Sequence, residues 1–338
     1  MKTISKYIFA MMVSGLMLLP GCKKDDEDST PALSGKLRIT SIPSYVLKGE
    51  VYHITASGLY KGSDRADSLV GYRLYNPLKS AYDTLRKEGE KGPAEYDFVV
   101  SSDSLDSFSI GVYAYASGYS GSYASGTFTI VNPSLDTLKG SLRRHPFHYE
   151  VNTFFFDSRS SDPYYASSDA SGAWMLQNLA WDGSGYSYEE AEAMNYIAGR
   201  FYNWEEAATA CPAGWRLPSD SDFVSLAGTG TAGETISGAA GALKGNVYFN
   251  GSAMWPYISS SIEMDNGTFF TAMPWGYLTV SGSQLSFKGY GEMAVFWTSD
   301  SPDAETALVR YMRADSNDIF VQAMDKKSFY ASVRCVKE

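Results

Sequence analysis

The sequence predicts a multidomain chain in which an all-β module precedes an α+β module. Three observations carry that expectation. Short stretches alternating apolar and polar residues recur between turn signals over residues 36–133. Helix-start signals enter in the second half, at Asn203 and Ser219. The composition, 44% hydrophobic against 20% charged, with 25 Tyr and 31 Gly among 338 residues, suits folded domains rich in pleated sheet and tight turns.

The first residues read as an address. Lys2 and Lys6 open an apolar run over residues 7–19, too short for a mature membrane span, which takes about 20 residues. The run ends Leu19-Pro20-Gly21-Cys22, which resembles a bacterial lipobox whose Cys is diacylated and becomes the new N-terminus. Residues 1–21 are then a lipoprotein signal peptide and Cys22 the lipidated residue. The competing reading is an ordinary secretory signal with a chance Cys. Residues 22–35 begin Lys23-Lys24-Asp25-Asp26-Glu27-Asp28, a charge run that cannot pack and forms an acidic flexible tether. An acidic stretch after the lipidated Cys also resembles the export tag of Bacteroidetes lipoproteins. That resemblance implies an outer-membrane protein, lipid-anchored and facing the exterior.

Residues 36–133 contain candidate strands at 36–42, 51–58, 70–76, 96–101, 108–116 and 126–131. The clearest places Phe108, Ile110, Val112 and Ala114 on one face and Tyr113 and Tyr115 on the other. This density of short strands predicts an immunoglobulin-like β-sandwich serving as a spacer. Residues 134–149 carry Pro133 at their edge, then Gly140 and Pro146, and read as a linker. His145 and His148 lie there, but Pro146 forbids a helix that would bring both imidazoles to one face, so no metal site is expected.

In the second module, residues 150–338, Asn203 and Glu206 form a capping box over a helix whose Trp204, Ala207, Ala208 and Cys211 share a face, ended by Pro212. Ser219 and Asp222 repeat the device for a shorter helix stopped by Gly228. The chain finishes in a strand with Ala331, Val333 and Cys335 pointing one way. With Cys22 acylated, Cys211 and Cys335 remain in an oxidising compartment. A disulfide is expected, and no CxxC or zinc-like spacing competes with it.

Several segments here resemble the successive signatures of the Fibrobacter succinogenes major paralogous domain: Trp174-Met175-Leu176-Gln177-Asn178-Leu179, Tyr202-Asn203-Trp204, Cys211-Pro212-Ala213-Gly214-Trp215-Arg216-Leu217-Pro218-Ser219, Ala240-Gly241-Ala242-Leu243-Lys244, Phe296-Trp297-Thr298-Ser299 and Val333-Arg334-Cys335. The resemblance covers about residues 150–338 and implies a C-type-lectin-like fold. It brings no catalytic set, and the calcium-ligand motifs of the wider fold are absent from the sequence.

The remaining motifs narrow the function. A balance of −10 without a basic block disfavours nucleic acid, whose binding rests on Lys and Arg displacing counterions. Gly228 to Gly233 fits GxGxxG but follows a helix instead of a strand, so a loop is the better reading. His53, His145 and His148 all fall outside residues 150–338, which removes a Ser–His triad from that module. Glu263, Asp265, Glu292 and Asp303 leave two-carboxylate glycosidase chemistry open. Residues 245–266 combine Tyr248, Phe249, Trp255 and Tyr257 with Glu263, Asp265 and Asn266, a mixture that suits a sugar if the rings are exposed and a core if they are not. Trp174, Trp215, Trp275 and Trp297 sit inside signature segments and are expected in the core. The expected protein is a non-catalytic surface lipoprotein needing no cofactor, joined to the membrane by its lipid. It binds a glycan or a surface or host protein through Trp255, Tyr257, Glu263, Asp265 and Asn266. The alternative is a structural or accessory subunit of a surface assembly such as a fimbria.

Overall fold

The computed structural model describes residues 30–40, 44–101, 107–131, 138–140, 152–160, 163–167, 172–249, 252–256 and 259–338. Cys22 and Tyr257 lie outside them, as do the signal peptide, most of the tether, and both linker histidines. The chain is mostly β-sheet with short helices. Among the described residues no helix is long and apolar enough to cross a membrane.

Two sheets enclose the first core. One is three-stranded, Ser34–Ile39, Val51–Tyr60 and Ala94–Val99; the other runs Tyr45–Leu47, Ser122–Val131, Ser107–Tyr115, Gly71–Asn76, Ala81–Arg86. Ile54, Leu59, Tyr72, Leu74, Phe98, Val112 and Phe128 fill the space between them. The alternation expected over Phe108 to Ala114 is seen, with those four inward residues buried. Two strands went unpredicted. Ala81–Arg86 breaks its own alternation, because a register shift at Tyr72/Arg73 leaves Leu85 and Arg86 both buried. Tyr45–Leu47 is too short to show a period, and it pairs parallel to Ser122–Val131.

The second half is built on an eight-stranded sheet in which Phe329–Ser332 lies between Arg200–Tyr202 and Met293–Trp297 and also carries the Tyr277–Ser281, Gln284–Lys288 hairpin. Both capping boxes are present, on Trp204–Ala210 and Asp220–Ala227, and Gly228 ends the second helix in the left-handed region. The first helix buries Ala207 and Ala210, while Ala208 is exposed. The expected stripe shifts because the helix stops at Ala210, leaving Cys211 as an extended cap. The terminal strand is two strands, Phe329–Ser332 and Val336–Lys337, which join different partners. Every residue from Phe329 to Val336 is buried, so alternation fails where both faces are covered. Cys211 and Cys335 form the disulfide, with Cα atoms 5.9 Å apart.

The linker is not wholly irregular: Leu138–Gly140 pairs antiparallel with Val247–Phe249. The first half also packs directly against the second. Tyr45, Leu47 and Val131 pack into the same cluster as Tyr188, Phe201, Phe249 and Trp275 of the second half. The outward side of one end of the five-stranded sheet is thus covered.

Candidate functional site

The predicted ligand loop divides. Trp255 is a core residue at 3% exposure, its indole N–H donating to the Ala272 carbonyl at 3.0 Å. It packs with Trp174, Phe223, Phe270 and Phe296. The correction has a simple cause: Ser252–Ala253 folds back on Val247–Phe249, and this hairpin turns the following Met254 and Trp255 inward. Asn266 is also buried, at 1%, and exchanges two hydrogen bonds with Thr271, through its side chain to the hydroxyl and from the Thr271 amide at 2.7 Å. Glu263 and Asp265 are exposed. Of the five predicted residues, only these two stand together on the described surface.

The segment below them is rigidly wired. Asn266, Phe269 and Thr271 hold left-handed backbone, with φ of 52°, 59° and 52°, a conformation that costs a non-glycine residue about 1–3 kcal/mol and survives only where surroundings enforce it. The enforcing contacts are backbone bonds from Asp265 and Asn266 to Gly241 and from Thr268 to Ala242. Lys244, fully buried, donates to the carbonyls of Arg313 and Ser316 at 2.7 and 2.6 Å and lies 5.2 Å from the Trp255 ring. Burial pushes its pKa down to about 8. Signature residues Asn178 and Arg334 meet beside it in the fold. Arg334, fully buried and with no carboxylate partner among the described residues, donates to Asn178 Oδ1 at 2.7 Å and to the carbonyls of Met175, Phe270 and Thr271. Burial lowers its pKa to about 9, leaving it charged at neutral pH. Asp220 and Arg310 form a buried two-bond ion pair at 2.5 and 2.7 Å. Asp220 also accepts from the amide of Gly233, which gives the GxGxxG stretch a structural role.

A second surface, not anticipated from the sequence, gathers aromatic rings around a carboxylate. Glu189 and Glu190 are consecutive left-handed residues, φ 50° and 58°. Tyr188 lies 5.8 Å from Tyr290 and 6.1 Å from Tyr45, and Tyr290 is 44% exposed. Glu189 is exposed as a whole, yet crowding of its carboxylate raises its pKa, partly offset by a hydrogen bond from Tyr188. The same negative charge, after burial, raises the phenol pKa values of Tyr45, Tyr188 and Tyr290. Beneath, the Trp275 ring lies tilted 5.6 Å from both Tyr188 and Tyr290, and its buried indole N–H has no protein partner among the described residues. A ring edge, a carboxylate and strained backbone at one surface can hold a hydroxylated ring by stacking and hydrogen bonding. The sequence signal was the Tyr188-Glu189-Glu190 run, whose backbone gives no local warning of its φ values.

The other candidates are placed as follows. Asp303 accepts from the amides of Glu305 and Thr306 and from the Thr306 hydroxyl, so it caps its own turn. Glu292 is exposed beside Tyr290 in sequence. Trp174, Trp275 and Trp297 are core residues, while Trp215 is half-buried and stacks 4.5 Å from Phe155. Among the described residues no group of His, Cys, Asp and Glu is arranged to hold a metal ion.

Together these features define a β-rich, disulfide-stapled domain built around buried cations and signature tryptophans. The chain belongs to the Fibrobacter succinogenes major domain family, whose model matches residues 161–337. A search of curated proteins found no match.

Proposed function

We propose that the protein is a non-catalytic, lipid-anchored outer-membrane protein facing the exterior, whose second half binds a glycan at the surface formed by Glu189 and Tyr290. In this reading Cys22 carries the lipid, residues 36–133 form an immunoglobulin-like sandwich, and residues 150–338 adopt a C-type-lectin-like fold. The observation that carries the proposal is the left-handed Glu189, whose carboxylate acts on the exposed Tyr290 ring. Strain of that kind persists at surfaces where shape serves binding. The exposed carboxylates of Glu263 and Asp265 offer a further polar contact on the same half.

Glycan-array binding of the chain from residue 22 onward tests the proposal. Glu189→Ala and Tyr290→Ala should each weaken binding by roughly five- to a hundred-fold, the cost of losing a contact residue of about 1–3 kcal/mol. Unchanged affinity in both variants would refute the site. Cys22→Ala should stop maturation and release from the inner membrane, so that the variant no longer fractionates with the outer membrane.

The assembly-subunit reading draws on a different observation, the cluster shared by Tyr45, Leu47 and Val131 with Tyr188 and Phe249. Such packing would hold the two halves together, as a structural subunit of a surface fibre requires. Failure of every glycan together with co-purification of a fibre would favour it.

A further inference from the structure

Among the described residues, the outward face of the five-stranded sheet is covered only at one end. Cross-strand register places Arg73, Tyr113 and Tyr123 in one row, with Tyr75 beside Tyr82 in the next. Their inward neighbours Tyr72, Leu74, Val112 and Ala114 are in the core. Tyr82 is 51% and Tyr123 58% exposed. Between this patch and the covered end, the outward positions of the two central strands are Ser109, Gly111, Ser125, Thr127 and Thr129.

The rings lie down on the sheet. A Cβ added at Gly71, Gly111 or Gly121 would sit 2.5 Å from a ring atom of Tyr115, Tyr123 or Tyr113 respectively. Each glycine therefore lets a neighbouring tyrosine lie flat across its strand. The result is a platform about 15 Å wide over four strands, without an outward aliphatic side chain. Protein interfaces set their anchors into pockets; a flat surface of tyrosine, serine and threonine instead offers stacking faces and hydroxyls to a sugar chain.

Arg73 is the charged residue among these outward positions. Its guanidinium is held 4.4 Å from the Tyr82 ring and 4.7 Å from the Tyr113 ring. Among the described residues no carboxylate pairs with it, and its Nε is buried without a protein partner. A planar cation stacked between rings keeps its edge free for bidentate recognition of a carboxylate. Although the whole chain is acidic, residues 36–133 contain ten basic and ten acidic side chains. No long-range repulsion from this module opposes an anion.

We infer that this face binds an acidic polysaccharide, with Arg73 taking a uronate carboxylate and the exposed rings of Tyr82 and Tyr123 stacking on the sugar rings. The inference is independent of the glycan surface proposed at Glu189 and Tyr290.

Affinity measurements on the chain from residue 22 onward, with polygalacturonate, alginate and hyaluronate as probes, test it. At least one polymer should bind. Arg73→Ala and Tyr123→Ala should each weaken that binding at least ten-fold, and for polygalacturonate so should full methyl esterification of the probe. Arg73→Lys should recover part of the loss. Melting curves of Tyr123→Ala, whose ring is largely in solvent, keep the test readable if Arg73→Ala proves unstable. Binding by none of the three polymers, equal binding of the methyl ester, or equal binding by both variants would overturn the inference. So would saturation of the face by a protein ligand that Arg73→Ala still binds.

Discussion

Replacing Trp255 by Ala distinguishes a core tryptophan from a ligand platform, and the structure sets the size of the effect. The side chain is 3% exposed, and a tryptophan buries about 150–250 Å², worth about 4–6 kcal/mol at 25 cal/mol per Å² against a fully extended reference. Allowing for a partly collapsed unfolded chain brings this to the usual range for large-to-alanine changes, about 3–5 kcal/mol. Loss of the indole bond to the Ala272 carbonyl, which keeps its bond from the Gly245 amide, adds about 1 kcal/mol. One opposing effect is specific to this site. Lys244 lies 5.2 Å above the ring, so the new space can admit water to a buried ammonium and return part of the cost. The expected net loss is about 3–5 kcal/mol, or a melting-temperature drop of roughly 6–20 °C for a unit of this size. Urea unfolding of Trp255→Ala, Trp255→Phe and wild type measures it, the Phe variant, which keeps one ring but loses the N–H and part of the packing, falling between the other two. A loss under 1 kcal/mol in Trp255→Ala would show that the ring is not packed as described, and the exposed-platform reading would return.

Three further outcomes follow from the same packing. Cys335→Ala, or reduction, should destabilise the chain by about 5 kcal/mol in the chain-entropy model for a bridge spanning 124 residues, read by denaturant titration with and without reductant. Asp220→Asn should cost about 3–5 kcal/mol, because it leaves Arg310 buried without its counter-charge; a change below 1 kcal/mol in the same titration would contradict the buried pair. Lys244 has a folded pKa near 8 against 10.5 when free, so below pH 8 both states are charged and the fold bears the whole burial cost. Between pH 8 and 10.5 the unfolded state holds more protons and stability rises with pH. Relative to Lys244→Met, wild type should therefore gain stability from pH 7 to pH 10, and a flat difference would refute the burial effect.

Local chemistry made some elements legible in advance. Asn203 with Glu206 and Ser219 with Asp222 announce helix starts because a capping box is completed within four residues, and both are present. The disulfide was expected from the two thiols left over in a chain read as exported, and Cys211 and Cys335 do join. What failed to be legible depends on distant segments. Arg334 looks like a surface residue of a strand until Asn178, Met175, Phe270 and Thr271, from two other stretches, supply the acceptors that let a cation be buried. The broken terminal strand hides its period for the same reason: neighbours cover both faces.

The aromatic residues show this limit most sharply, since hydrophobicity alone assigns a ring neither to core nor to surface. Trp255 stood in a polar, turn-rich stretch and invited an exposed reading, yet the hairpin at Ser252–Ala253 turns it inward. Tyr113 and Tyr115 stood in the clearest strand of the chain, and alternation already put them opposite Val112 and Ala114. Alternation could not say whether anything covers that opposite face. Its answer differs along the same sheet: Val131 and Leu47 are covered by the second half, whereas Tyr123, eight residues before Val131 on the same strand, is open to solvent. A period-two pattern thus identifies the pair of faces, and the tertiary neighbours decide which one can meet a ligand. The rings to test for binding are accordingly those on the uncovered end of a regular strand, not those concentrated in a loop.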